Sequence, residues 1–211
     1  LAHFALLPRF TGTLIHDCLS AYFDLNCLHG LCNAHLLREL AFLHEVLRQK
    51  WAQRMSGLLL RMHRSVAACK ARAGPAAAPQ QAAWSRKYQA VLRAGFAENP
   101  EPRPPPGPRR RGRPKHTKAQ NLLLRLRQHE RSVLAFLYDR GVPFSNNQAE
   151  QDIRMMKVQQ KISGAFRTLE GARTFARIRA YLSTARKNKR DVFEDIVAAL
   201  DGRPFMPSVA E

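Results

Sequence analysis

Residues 12–17, Gly12-Thr13-Leu14-Ile15-His16-Asp17, form a short β-prone run that begins after a glycine and ends in a carboxylate. A second run, Leu28–Leu31, leads directly into Cys32, and we predict a short strand over each run. A carboxylate directly after a strand is a common place for a catalytic group in an open α/β sheet. Asp17 is therefore a candidate active-site residue, and the alternative is that it only forms a turn or caps a helix.

Amphipathic helices are predicted over most of the remaining chain. From Leu36, apolar residues recur every three, four or seven positions over about thirty residues, which is typical of one continuous amphipathic helix. The apolar residues of this pattern are Leu40, Leu43, Leu47, Trp51, Leu58, Met62 and Val66. Further helices are predicted over residues 82–97, 118–140, from near 148, 170–187 and 192–200.

A linker rich in proline and arginine spans residues 99–118. Its proline-rich part favours extended polyproline geometry and buries little surface. The part that follows contains Arg111-Gly112-Arg113-Pro114, which resembles the core of an AT-hook, an arginine pair that enters the narrow minor groove of A·T-rich DNA. The alternative is a plain basic linker, and Arg111 and Arg113 are candidate DNA contacts in either case.

The net charge is strongly positive. Lys and Arg total 35 against 16 Asp and Glu, which gives +19 with histidine neutral, and the sequence pI is about 11.0. Such a charge favours a polyanionic partner, either nucleic acid or an acidic membrane surface. No stretch approaches the roughly 20 apolar residues of a bilayer-spanning helix, which excludes a membrane-spanning protein. The 45% of apolar residues, arranged in periodic runs, exclude a fully disordered chain.

The positive charge is concentrated after Glu150. Between Arg154 and Arg190 lie eleven basic residues and a single acidic one, Glu170. An ordinary solvated helix face mixes the two signs, whereas a one-signed cluster beside a carboxylate suits a phosphate backbone lying across a metal site. The candidate DNA contacts in this segment are Arg154, Lys157, Lys161, Arg167, Arg173 and Arg177.

Glu150 itself fits two roles. Asn147 as N-cap with Glu150 three residues later matches the capping-box pattern of a helix start. A glutamate in the first helical turn is also rigidly held, as a metal-binding carboxylate needs to be. The two interpretations are compatible, and both remain open at this point.

Cysteine usage points to the cytoplasm. The chain has four cysteines, too few for a disulfide-stapled secreted scaffold, and no signal segment opens it. We therefore expect a reducing cytoplasmic location. The chain begins at Leu1 rather than at a methionine, and we expect it to be a processed product or a fragment.

A cluster of zinc-binding residue types lies between residues 27 and 35: Cys27, His29, Cys32 and His35. Structural zinc usually takes two well-separated pairs of ligands in tetrahedral geometry. Because all four candidates fall within nine residues, we expect local packing and hydrogen bonding rather than structural zinc. The sequence also lacks a Walker A loop, a glycine-rich dinucleotide motif and a nucleophile elbow, so nothing in it supports nucleotide-driven or covalent-nucleophile chemistry.

Several of these motifs together resemble the catalytic region of insertion-sequence-66 transposases. The matching N-terminal residues are the run that ends at Asp17, then Tyr22, and the pattern Cys32-x2-His35 with Arg38. The matching C-terminal block is Val142-Pro143-Phe144-Ser145-Asn146-Asn147-Gln148-Ala149-Glu150, followed by Ile153-Arg154-Met155-Met156-Lys157, by residues 161–167 and by residues 180–185. The C-terminal block is long and specific, whereas the match around Asp17 is looser.

This resemblance implies an α/β fold of the DDE class, with a partial ribonuclease-H-like core and a large, mainly helical insertion in a predominantly helical chain. The implied division is residues 1–42 for the partial core, 43–140 for the insertion, 141–202 for the C-terminal helices with the catalytic glutamate and the basic surface, and 203–211 for a tail. Asp17 then matches the second catalytic aspartate and Glu150 the final glutamate. Cys32, His35 and Arg38 match a motif near the site.

The resemblance also implies the chemistry. Mg²⁺ or Mn²⁺ in a two-ion site would be held by the carboxylates and would support DNA cleavage and strand transfer at the ends of a bacterial insertion sequence. The implied partners are element ends and target DNA, together with further copies of the chain on DNA, in the cytoplasm at the nucleoid. Because the family's first aspartate is expected upstream of Leu1, the chain alone is expected to be inactive. The alternatives are a non-catalytic DNA-binding remnant and a decayed reading frame.

Overall fold

The computed structural model describes residues 10–71, 78–100 and 115–207, with the side chains at positions 70, 71, 78 and 79 left aside. The chain divides into two compact units, unit 1 (Leu1–Asn146) and unit 2 (Asn147–Glu211). The division into functional regions at residues 42, 140 and 202 concerns roles rather than packing and stays a prediction. No helix in the described parts of the chain is long and apolar enough to cross a membrane.

Unit 1 contains the two predicted strands, β1 (Thr13–His16) and β2 (Leu28–Leu31). They pair in parallel, with Thr13 opposite Leu28 and His16 opposite Leu31, and a short 3₁₀ helix, Ser20–Tyr22, lies in the connection between them. A side chain at Gly30 would meet the Ile15 Cδ1 atom at 2.5 Å, so a larger residue here would force the Ile15 side chain to move. Both strand predictions are confirmed, and among the described residues these strands form the whole sheet.

Helices make up the rest of unit 1. They are α1 (Asn33–Glu45), α2 (Lys50–Ala71), α3 (Ala78–Glu98), α4 (Lys118–Gln128) and two single turns, α5 (Glu130–Val133) and α6 (Ala135–Tyr138). Helix α2 packs against α1 and α3, and α4 packs against α1 and α3. Helix α3 approaches closely at Gly95, where a Cβ atom would lie 2.5 Å from Leu123 and 3.0 Å from Trp51. The core of unit 1 is therefore helical, with the strand pair at one side of it.

The single long helix predicted from Leu36 is wrong. The structure has two helices, α1 and α2, and the chain turns between them at Arg48, whose φ is +54°. Leu47, predicted to belong to the buried stripe, is 45% exposed in this turn. The new helix start is stabilised from a distance, because the Glu98 carboxylate accepts hydrogen bonds from the backbone N–H groups of Lys50 (2.9 Å) and Trp51 (3.2 Å).

The single helix predicted over residues 118–140 is also wrong, because α4, α5 and α6 replace it. The first interruption falls at His129, whose φ of −111° ends α4. Its ring stacks on Phe23 with centroids 4.4 Å apart, a contact with the segment between the strands. A tertiary contact thus interrupts a sequence pattern that is locally helical.

Unit 2 consists of α7 (Asn147–Ser163), α8 (Leu169–Lys187) and α9 (Val192–Leu200), with α8 packed against both of the others. The prediction for α9 is confirmed in full, and that for α8 to within one residue. Helix α7 begins one residue early, so Asn147 lies inside the helix rather than at the predicted N-cap. The turn before α9 is fixed by Asp195, a buried carboxylate that accepts three hydrogen bonds of 2.7–2.9 Å from Arg190.

Candidate functional site

Asp17 lies directly after β1, with an exposed carboxylate. Its Oδ1 atom accepts a hydrogen bond from the backbone N–H of Leu19 at 3.2 Å, which is an Asx turn. The following residue, Cys18, has a φ of +75°, in the left-handed region that residues other than glycine seldom adopt. The turn predicted for Asp17 is therefore present, and it holds the carboxylate at the end of the strand, facing solvent.

The buried side chain of His16 stabilises this turn by packing and by a hydrogen bond. Its side chain is 3% exposed and contacts the rings of Tyr22, Phe23 and His29 at centroid distances of 4.8–5.4 Å. The Nδ1 atom accepts a hydrogen bond from the backbone N–H of Cys18 at 3.2 Å. Burial, reinforced by the neighbouring His29, lowers the pKa of His16 to about 4, so the ring is neutral near pH 7. The sequence analysis did not single out this role, although a polar residue on the β1 pattern could have indicated it.

Cys32 connects three parts of unit 1. Its backbone N–H donates to the carbonyl oxygen of His16 at 2.8 Å, and its thiol, 1% exposed, accepts from the backbone N–H of Asn146 at 3.2 Å. The next residue, Asn33, donates its N–H to the carbonyl oxygen of Phe144 at 3.1 Å. The segment that immediately precedes α7 is therefore fixed beside the end of β1.

Asn33 is a buried side chain that the sequence analysis missed. Its amide Nδ2 donates to the carbonyl oxygens of Val133 (3.1 Å) and Leu31 (3.4 Å), and the residue is 1% exposed. Val133 ends α5, so this amide ties that turn to β2. The sequence signal that could have indicated its role is an asparagine at the start of a helix, inside the Cys-x2-His pattern.

A ring nitrogen of His35 lies within 4.8 Å of the Cys32 thiol, so these two residues of the pattern are neighbours in space as well as in the sequence. The backbone N–H of His35 donates to the carbonyl oxygen of Cys32 at 3.1 Å. Arg38 is exposed, and its Nε donates weakly to the carbonyl oxygen of Ala34 at 3.4 Å. His29, one of the zinc candidates, directs Nε2 to the carbonyl oxygen of Leu25 at 3.3 Å. Cys27 is partly exposed and carries a free thiol.

Glu150 lies in the first turn of α7, and three cations follow it on the same side of the helix. Arg154, Lys157 and Lys161 come four, seven and eleven residues later, which places them within about 40° of Glu150 around the helix axis. All four residues are exposed. We call these four residues the Glu150 stripe.

Asp152 holds α7 to α8 on the side of the helix away from the Glu150 stripe, about 200° around the axis from Glu150. Its carboxylate accepts hydrogen bonds from Ser183 (2.7 Å) and Lys187 (2.5 Å), both on α8. The bonds from Lys187 and Ser183 hold the pKa of the Asp152 carboxyl below its usual value of 3.8. Asp152 belongs to none of the predicted motifs, and its spacing from Glu150 indicates only that the two residues lie on different sides of the helix.

The remaining candidate DNA contacts are exposed wherever the structure describes them. Arg173 and Arg177 are exposed on α8 and, four residues apart, share one face of it. Arg167 is exposed in the connection between α7 and α8. Arg111 and Arg113, with the AT-hook interpretation that depends on them, lie outside the described residues.

Comparison with known proteins identifies a family. A family model described as "Transposase IS66 family" matches residues 2–174, which span all of unit 1 beyond its first residue and continue into α8. No curated protein and no solved structure matches the chain.

Proposed function

The chain belongs to the IS66 transposase family, and on that premise we propose that it carries two metal-binding carboxylates, Asp17 and Glu150, of a DDE active site. The reaction is metal-dependent cleavage of DNA at the ends of an insertion sequence, followed by strand transfer. The strand pair with Asp17 is proposed to belong to a partial ribonuclease-H-like core. Residues 43–140 are the proposed insertion, and residues 141–202 supply the glutamate and the basic surface.

The observation that carries this proposal is the pair of hydrogen bonds made by Cys32. One bond joins Cys32 to the end of β1, where Asp17 follows, and the other joins it to Asn146. Glu150 comes four residues after Asn146 in the chain. These bonds support the proposal because they give a motif of the family a physical role in unit 1, where it fixes the segment that ends at Asn146.

The residues suit a hard divalent cation. Asp17 presents an exposed carboxylate whose Oδ1 is already oriented by the Leu19 N–H, and Mg²⁺ and Mn²⁺ prefer carboxylate oxygen. When bound by these carboxylates, a pair of such ions would supply the Lewis acidity that phosphoryl transfer needs. Asp17 and Glu150 are the proposed ligands.

The cations of the Glu150 stripe have a positioning role in this proposal. Arg154, Lys157 and Lys161 neutralise backbone phosphates, which orients the duplex without reading its sequence. Arg167, Arg173 and Arg177 extend the same contact. We propose further that the protein acts as a homo-oligomer on DNA, in the bacterial cytoplasm at the nucleoid.

A second candidate function is non-catalytic DNA binding by a remnant of a transposase. The exposed cations of α7 and α8 favour it, because they bind phosphates whether or not a metal site is complete. The two candidates differ only in the chemistry at Asp17 and Glu150.

Replacing Glu150 with glutamine separates the two candidates. The substitution removes a charged metal ligand and keeps side-chain size and the three cations of the stripe. Introduced into the full-length protein, Glu150→Gln should abolish Mg²⁺-dependent DNA cleavage and leave DNA affinity nearly unchanged. Glu170→Gln, an exposed glutamate in the first turn of α8, is the matched control and should cleave normally.

The measurements are gel-resolved cleavage of insertion-sequence ends and fluorescence anisotropy for binding. Unchanged cleavage by Glu150→Gln contradicts the assignment of Glu150. DNA binding without cleavage by the wild-type protein supports the remnant.

A further inference from the structure

A cavity of about 500 Å³ lies between α1 and α4 in unit 1. Its floor is apolar and is made by Leu43 and Leu122, both buried in the core. The cavity volume is within the range of sites that hold a small organic group. It is lined by neither Asp17 nor Glu150, so it is separate from the proposed metal ligands.

One wall of the cavity is the ring of Phe42, which is 38% exposed. The ammonium of Lys118 lies over this ring, 4.7 Å from its centroid. A flexible, exposed lysine is easily displaced, and a stacked base gains more from an aromatic face than an exposed ammonium does. The ring is thus available as a stacking surface.

The rim of the cavity is cationic. Arg38, Lys118 and Arg125 line it with one acidic residue, Glu39, so the local charge is 3 − 1 = +2. Glu39 pairs with a terminal nitrogen of Arg125, while the Nε of Arg125 is buried without a hydrogen-bond partner among the described residues. An anionic group at this rim is therefore favoured.

Asn121 adds a group that can both donate and accept. It lines the same cavity, and within the described parts of the chain its amide makes a long contact, 3.5 Å, with the carbonyl oxygen of His116. Asparagine amides recognise the edges of nucleobases through paired hydrogen bonds. The cavity thus combines an apolar floor, an aromatic wall, a two-way hydrogen-bonding group and a cationic rim.

We propose that this cavity receives one unpaired base of DNA. The base stacks on Phe42 above Leu43 and Leu122, and the phosphate of the same nucleotide lies between Arg38 and Lys118. A site for phosphate alone does not account for the aromatic wall and apolar floor, and an apolar partner does not account for three cations. An aromatic ring next to a cationic track is the arrangement that proteins use to hold unstacked bases.

The test compares two DNA duplexes that differ by a single unpaired 2-aminopurine nucleotide. Binding to the full chain is followed by anisotropy in the presence of a chelator, so that no cleavage occurs. The wild-type protein should bind the bulged duplex about tenfold more tightly than the paired duplex, the scale of one base–aromatic stack. Binding should also quench the 2-aminopurine fluorescence.

Variants assign the effect to the cavity. Phe42→Ala should reduce the preference for the bulged duplex to near one, and Phe42→Trp, which keeps an aromatic surface, should retain it. Tyr138→Ala is the matched control, because Tyr138 is an aromatic residue of unit 1 with similar exposure, 45%, outside the cavity. Circular dichroism checks that each variant is folded.

Equal affinity of the wild-type protein for the two duplexes overturns the proposal, as does a preference that Phe42→Ala leaves intact. Competition by free deoxynucleotide as strong as that by the bulged duplex would replace DNA by a mononucleotide as the ligand. Because the assay excludes divalent metal, its outcome is independent of the cleavage test for Glu150.

Discussion

The contact between Asp152 and α8 gives a quantitative prediction for unit 2. Asp152→Ala removes a hydrogen bond from Ser183 and an ion pair with Lys187. The side chains of Lys187 and Asp152 are 50% and 28% exposed, so the ion pair belongs to the weak, solvent-screened class, at about 0.2–1 kcal/mol. The hydrogen bond contributes about 0.5–1.5 kcal/mol. Together the loss should be about 0.7–2.5 kcal/mol.

Hydrogen exchange is the suitable assay, because two compact units need not unfold in one transition. Peptides from α7 and α8 should lose protection by about 3- to 70-fold in Asp152→Ala, which corresponds to the same free energy. Asp152→Asn retains an oxygen acceptor for Ser183 and should lose less. Gln151→Ala, an exposed change on the same helix, is the control and should alter protection little.

A double-mutant cycle with Lys187→Met isolates the charge pair. The coupling energy should be positive and below about 1 kcal/mol. Because the pKa of Asp152 lies below its usual value of 3.8, this contribution is present above that pH and disappears as the pH falls through the lowered pKa. Protection in Asp152→Ala equal to that in Gln151→Ala would refute the view that this carboxylate holds α7 to α8.

Two further predictions concern charge. Since the pKa of His16 is lowered from 6.5 to about 4, the unfolded chain binds the extra proton first, and stability should fall by up to roughly 3 kcal/mol as the pH drops from 6.5 to 4. His16→Asn, which keeps an acceptor for the Cys18 N–H, should flatten this part of the urea-unfolding profile, and an unchanged slope would contradict the buried neutral ring. The logarithm of the binding constant for duplex DNA falls as the logarithm of the salt concentration rises. Neutralising Arg154, Lys157 and Lys161 together should make this negative slope less steep by about 2–3, at roughly 0.9 per phosphate contact. The same slope in this variant and in the wild-type protein would show that the stripe does not contact DNA.

Local signals predicted the elements whose stability is local. Helix α9, predicted over residues 192–200, starts where Asp191 accepts hydrogen bonds from the N–H groups of Phe193 and Glu194, an interaction between sequence neighbours. The two strands were predicted from their composition. Their parallel pairing was not, since it depends on a register that neither run contains by itself.

The helix predictions were wrong where contacts between residues distant in the sequence accompany a change in the direction of the backbone. The turn before α2 depends on Glu98, 48 residues away from Lys50, and the break at His129 depends on Phe23. The helical spacing of apolar residues continues through the turn before α2 and through His129. The sequence pattern therefore predicts one continuous helix at each place and gives no sign of the interruption. The candidate site shows the same division: Asp17 and Glu150 were selected from motifs, whereas the buried supports His16 and Asn33 were missed because their partners are distant or backbone atoms.

The Cys-x2-His pattern shows how a short motif can constrain the path of the backbone through hydrogen bonds. A thiol that accepts the Asn146 N–H in a buried position is already engaged, and Asn33 beside it fixes Phe144 and Val133 by further hydrogen bonds. These bonds act on backbone atoms, so they constrain the path of the chain rather than a ligand. The segment that ends at Asn146 is thereby held beside β1. Within unit 2, Asp152 holds α7 against α8 from the side away from Glu150. The described contacts of the α7 helix thus come from the side that faces α8, whereas the Glu150 stripe is left exposed.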